Sequence, residues 1–177
     1  MLKVKVIATD VENLTDARYF AAMGVEAVCF DLSAISSEAY YAIKEWIEGV
    51  EVYVKGTEEA MDSDIRIIHD IASFQSDAAV VLESSYKLIS LSNLPAGQII
   101  NEYAGWNEYD QNKHHEIIDF AKAKRHYLYI PWTQDLLDTM VQADRIFGIV
   151  VSGGEEEKTG YKSFLELDEL FEIIEFE

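Results

Sequence analysis

Lys3-Val4-Lys5-Val6-Ile7-Ala8, then Asn13-Leu14-Thr15-Asp16-Ala17-Arg18, then Gly24, then Ala27-Val28-Cys29-Phe30: this stretch decides the fold. Lys3 to Ala8 alternates as a strand does. Asn13 can cap a helix whose Leu14, Ala17 and Ala21 share one face, and Gly24 stops it. Ala27 to Phe30 is a short apolar run of the kind buried on both faces of a parallel sheet. Strand, helix, strand is the unit, and the rest of the chain is read for its repetition.

It recurs. Ser36 or Ser37 opens a second helix with Tyr40, Ile43 and Ile47 inward and Gly49 as its stop, and Glu51 to Val54 is a third strand. Ile65 to Ile68, Ala78 to Leu82 and Gln98 to Asn101 read as strands separated by thin connections. Lys113 to Arg125 is a helix with a basic last turn, followed by the strand Tyr127 to Ile130. Thr133 caps a helix carrying Leu136, Leu137, Met140 and Val141, and Phe147 to Val151 is the last strand. Ser163 and Glu166 have the spacing of a capping box for a final helix. Regular alternation implies parallel strands joined by right-handed crossovers. About eight strands fit a (βα)8 barrel, shortened because such barrels usually take roughly 250 residues. An open doubly wound parallel sheet is the alternative.

The 177 residues, 49% hydrophobic and without a Pro/Gly/Ser-rich linker, are read as a single domain, 1–177. The formal net charge of −19, from 33 acidic and 14 basic residues, repels phosphate backbones and anionic membranes, so neither nucleic acid nor membrane is an expected partner. The acidic surface serves solubility, or docks a basic partner; composition does not choose. Cys29 stands alone, which excludes an internal disulfide and a cysteine-based zinc site and points to a reducing, cytoplasmic setting. The N-terminus runs straight into a strand pattern with no signal-peptide core, and no apolar run would span a bilayer.

Asn13 to Arg18 and Ala22-Met23-Gly24-Val25-Glu26-Ala27-Val28-Cys29-Phe30 resemble the first helix and second strand of the phosphoribosylanthranilate isomerases, which read close to N-L-E-D-A…E-A-G-A-D-A-L-G-F. Gly148 to Glu156, with Gly160 and Lys162, is similar to that family's G-V-D-V-S-S-G-V-E…P-G-K-K-D, and Ile67-Ile68-His69 to its Q-L-H. The resemblance covers about a third of the chain, at both ends and in order. It implies a (βα)8 barrel that carries out an Amadori rearrangement on a ribose 5-phosphate adduct of anthranilate. The departures fall on the chemistry. The family's catalytic cysteine ends the first strand in K-I-C-G-I-T, where this chain reads Lys5-Val6-Ile7-Ala8-Thr9-Asp10. Its catalytic aspartate ends the sixth strand, where Asn101 and Glu102 are nearest, and Pro131-Trp132 replaces the glycine pair after the seventh.

Chemistry in a barrel collects at the strand carboxyl ends. Ser152, Gly153 and Gly154 are the expected phosphate site there, or simply a tight turn. Asp10, Asp31 and His69 are the acid–base candidates, the last beside Asp70, and Thr9, Lys55, Asn101, Glu102 and Trp132 are expected to line the ligand. For each alone, a solvated strand end is the commoner role. His114-His115 lacks a partner at ligand spacing, so no metal is expected, and no cofactor. The expected function is that of a divergent isomerase-like protein without the ordinary mechanism, holding a small phosphorylated or carboxylated ligand. A non-catalytic scaffold and a true isomerase with its base moved to Asp10 or Asp31 are the alternatives. Lost helices would bare apolar strand faces, so a homodimer is expected to cover them.

Overall fold

A computed structural model describes residues 1–56, 65–68, 80–84, 99–105, 127–130, 132–153 and 163–175, with the backbone alone in 65–68, 80–84 and 99–105. Its strands are β1 (Lys5–Thr9), β2 (Ala27–Asp31), β3 (Glu51–Lys55), β4 (Ile65–Ile68), β5 (Val80–Ser84), β6 (Ile99–Gly105), β7 (Tyr127–Tyr129) and β8 (Gly148–Ser152). Each is parallel to the next, and β1 pairs with β8 over five residues, from Lys5 opposite Gly148 to Thr9 opposite Ser152. That last ladder closes the sheet into an eight-stranded barrel; an open sheet would leave β1 and β8 as edges.

The described helices are α1 (Leu14–Met23), α2 (Ser37–Lys44), α3 (Gln134–Gln142) and α4 (Leu165–Ile174). Asn13 caps α1 as expected: its side chain accepts from the Asp16 N–H at 2.9 Å and donates to the Asp16 carboxylate. Gly24 ends α1 at φ 74°, a conformation that L side chains resist. Ser36 and Thr133 cap α2 and α3 in the same way.

Four readings need correction. α2 stops at Glu45, short of Gly49, which instead serves the turn into β3 at φ 80°. Ser163 and Glu166 make no capping box: α4 begins after Phe164, and the Ser163 hydroxyl accepts from the Leu165 N–H at 3.3 Å. β5 lies two residues later than the apolar run suggested. β6 continues through Asn101-Glu102-Tyr103-Ala104 to Gly105, because ladders on both sides hold residues of low strand preference in extended form. The helix expected at 113–125 lies outside the described residues.

Period-two alternation divides the strands between two cores. Val6, Ala8, Val28, Phe30, Val54, Leu128, Ile149 and Val151 point outward and pack with Ala17, Phe20, Tyr40, Ile43, Leu137, Met140, Phe171 and Ile174 of the helices. Ile7, Ala27, Cys29, Tyr53, Tyr127 and Val150 point inward and pack together in the lumen. Gly148 faces the lumen where no side chain would fit: a Cβ there would lie 2.5 Å from the Tyr127 ring. The outward residues of β1, β2, β3, β7 and β8 are buried or packed on the helices, so these five strands show none of the bare faces invoked for a homodimer.

Candidate functional site

Alternation also decides what the barrel mouth contains. Ile7, Cys29, Tyr53 and Val150 face the lumen, so two residues onward Thr9, Asp31, Lys55 and Ser152 occupy the inward positions at the carboxyl ends of β1, β2, β3 and β8. Asp10 follows Thr9 in the left-handed region, at φ 55°. Its carboxylate is held on both oxygens: the Lys55 ammonium lies 2.9 Å from Oδ1, and the Ser152 hydroxyl donates to Oδ2 at 3.0 Å. Lys55 also stands 4.0 Å from Oδ2 of Asp31. One lysine thus ties the ends of three strands together, with its side chain only 16% exposed.

Backbone contacts fix this frame. The Asp31 carboxylate accepts from the N–H and hydroxyl of Ser33, and the Leu32 N–H donates to the Lys55 carbonyl at 2.9 Å. Gly56 turns away from β3 at φ 78°, pressed so close that a Cβ would fall 2.5 Å from Asp31 Oδ1. Across the mouth, the Gly153 N–H donates to the Thr9 carbonyl at 2.9 Å. A Cβ on Gly153 would meet the Asp10 carbonyl at 2.7 Å and Asp16 Oδ2 at 3.3 Å. Asp16 is buried at the start of α1, so Gly153 has a carboxylate beside it.

The structure therefore brings Thr9, Asp10, Asp31, Lys55, Ser152 and Gly153 together and separates others from them. Asn101 and Glu102 sit inside β6, whose carboxyl end is Gly105, so they are not strand-end residues. Trp132 packs against the core between barrel and helices, not the lumen core, and its indole Nε1 is buried with no hydrogen-bond partner among the described residues. His69 and Gly154 lie outside the described residues. Of the expected phosphate grip, the Ser152 hydroxyl and Gly153 amide are engaged within the fold, by Asp10 and Thr9. Cys29 is in the lumen but fully buried a layer below the mouth. Among the described residues no group of three or more His, Cys, Asp or Glu is placed to hold a metal ion.

Sequence reasoning put Asp10, Asp31 and Lys55 at strand ends that a barrel would gather, but did not anticipate that one lysine pairs with both carboxylates, nor that Asp16 stands beside Gly153. The signal for Asp31 and Lys55 was present, since both end strands whose inward residues can be counted; Asp10 lies one residue beyond β1. The approach of Asp16 to Gly153 depends on a helix start lying beside a distant turn, which spacing does not encode.

No protein-family profile matches the sequence, and neither does any curated protein. Solved structures do match. A phosphoribosyl anthranilate isomerase from Thermotoga maritima superposes with a TM-score of 0.66 at 16% identity, covering 96% of this chain and 98% of that one. One from Thermus thermophilus gives 0.68 at 18% identity, with 96% and 98% covered. TrpF from Jonesia denitrificans gives 0.69 at 10% identity, with 96% of each chain covered. The chain has the isomerase fold. At such identities the likeness is one of architecture, and the shared barrel alone assigns no reaction. Among the described residues no helix is long and apolar enough to cross a membrane.

Proposed function

We propose that this chain is a divergent relative of the phosphoribosylanthranilate isomerases that no longer performs the ordinary Amadori rearrangement, and that its barrel mouth binds a small carboxylated or phosphorylated ligand through Lys55. The observation that carries this reading is the Asp10–Lys55–Ser152 array. Where the resemblance calls for a thiol base at the end of β1, the chain has Thr9 and then a carboxylate tied to a lysine and a hydroxyl. Lys55 is the described cation at the centre of the mouth. A ligand anion would exchange with Asp10 for the ammonium, leaving Asp31 and Ser33 to receive ligand hydroxyls.

The test is a calorimetric titration with a reduced, non-reactive analogue of the isomerase product, using inorganic phosphate and Lys55→Met as controls. Saturable heat that Lys55→Met abolishes is expected, together with no turnover of the family's substrate. Turnover at enzymatic rates would overturn the loss of mechanism. Equal binding by the variant would remove Lys55 from the site.

Two other readings rest on particular observations. The positive φ of Asp10 is of the kind that clusters at active sites, which favours a relocated base there; Asp10→Asn would then silence any activity. The mutual pairing of Asp10, Lys55 and Ser152 favours a scaffold with no ligand, for which no titration would give heat. Self-association belongs to the same proposal, since a Thermotoga maritima isomerase of this fold is described as dimeric. A cytoplasmic setting does too.

A further inference from the structure

Helix α2 buries one aromatic, Tyr40, and leaves Tyr41 and, just past its end, Trp46 largely open to solvent. Tyr40 and Ile43 are buried against the barrel, with Tyr40 edge-on to Phe30. Glu38, Tyr41, Ala42, Glu45 and Trp46 follow one another at helical spacing on the opposite side, and all are exposed. Tyr41 is 51% and Trp46 62% accessible. Single exposed apolar residues are ordinary on protein surfaces. Two large aromatics, Tyr41 on α2 and Trp46 in the turn that follows it, bordered by Glu38, Glu45 and Glu48, have the composition of an interface centre with an acidic rim. The Arg18 guanidinium already lies 5.0 Å from the Trp46 ring centroid, so the indole takes up a cation within the fold itself.

We infer that this outer face of α2 docks a basic amphipathic protein segment. Charge selects that occupant. A chain of net charge −19 repels a second copy of itself across a glutamate-bordered face, whereas lysines and arginines would meet the glutamates while apolar side chains cover Tyr41 and Trp46. The inference goes beyond the reading of the mouth, since α2 presents this face away from the barrel and the two can fail separately.

The probe is a synthetic helical peptide with leucine at helical spacing and lysine elsewhere, titrated into the isotope-labelled full chain and followed by nuclear magnetic resonance. Saturable shifts centred on the Trp46 indole N–H and the α2 amides are expected, weakening as salt screens the glutamates. Trp46→Ala should lower affinity about tenfold, as a central aromatic anchor does. Tyr41→Ala, which leaves the Arg18–Trp46 contact in place, and the pair Glu38→Gln with Glu45→Gln should each lower it as well. Unchanged affinity in Trp46→Ala and Tyr41→Ala, or shifts spread away from α2, would overturn the inference. So would concentration-dependent self-association that Trp46→Ala abolishes, because the face would then belong to a second copy.

Discussion

The Lys55 ammonium lies 2.9 Å from Asp10 Oδ1 and joins the end of the third strand to the residue just beyond the first. The pair is neither fully buried nor freely solvated, and Asp31 stands on its other side. Removing the cation leaves two carboxylates facing each other at the mouth. Lys55→Met is therefore expected to destabilise the chain by about 2 kcal/mol, between the values for exposed and buried pairs, and more than Asp10→Asn does. Urea unfolding of the two variants measures the difference, and equal midpoints would contradict it.

Gly24 and Gly56 share nearly the same backbone, at φ 74° and 78°, but not the same surroundings. A Cβ at Gly24 meets nothing within 4 Å, whereas at Gly56 it falls on Asp31 Oδ1 and the Ser33 N–H. Gly24→Ala should cost about 1 kcal/mol, the conformational penalty alone. Gly56→Ala should add roughly 1–3 kcal/mol of overpacking and disturb the Asp31–Ser33 bond. Comparable melting temperatures for the two would show that the turn after β3 yields easily.

Tyr127 is buried in the lumen and donates to Glu26 at 2.9 Å. Burial first, and then the Glu26 carboxylate, push its phenol well above the ordinary tyrosine range. Tyr19 is raised as well, by burial and by its bond to Asp168. The folded chain holds these protons more tightly than the unfolded one. Their stabilisation is thus complete below the ordinary value near pH 10 and is lost as pH rises above it. An alkaline spectroscopic titration should leave both in the phenol form after exposed tyrosines have ionised, and Tyr127→Phe should flatten the fall of stability with alkaline pH. A slope the variant leaves unchanged would place the proton linkage elsewhere.

Asn13 closes the first turn of α1 with both ends of its amide, on the backbone and carboxylate of Asp16. Asn13→Ala should cost about 1 kcal/mol, and Asn13→Ser should recover most of it. The mouth is linked to this cap through Asp16, whose carboxylate lies beside Gly153, 3.3 Å from where a Cβ would stand. Amide exchange at Gly153 should accordingly quicken in Asn13→Ala, and protection equal to the parent's would show that cap and turn are independent.

The strand–helix rhythm was legible wherever a cap, a glycine stop and an apolar strand came in succession, as from Asn13 through Gly24 to Phe30. It was less legible where neighbouring strands, not side-chain preference, hold the chain extended. Asn101 and Glu102 are poor strand residues read as an end, and the ladders with β5 and β7 carry β6 past them. At the mouth, inward alternation could place Thr9, Asp31, Lys55 and Ser152 from the sequence. The departure of Asp10 into the left-handed region, which turns its carboxylate onto Lys55, could not be read, because nothing in a Thr-Asp pair requires it.

Among the described side chains, the lumen is charged at both ends and apolar between. At the floor, Lys5 meets Glu26 at 2.6 Å, and Tyr127 and Tyr53 extend their hydroxyls to Glu26 and Glu51. Between floor and mouth lie Ile7, Ala27, Cys29 and Val150 with the two tyrosine rings. Four residue steps along β1 carry the chain from Lys5 to Thr9, about 13 Å of backbone. That belt works as insulation. Substitutions that rewrite the charges on one side are shielded from the other, so mutation can explore new chemistry at Asp10, Asp31 and Lys55 while the floor keeps the barrel shut. A scaffold partitioned in this way can lose one reaction without losing its shape, and remains free to take up another.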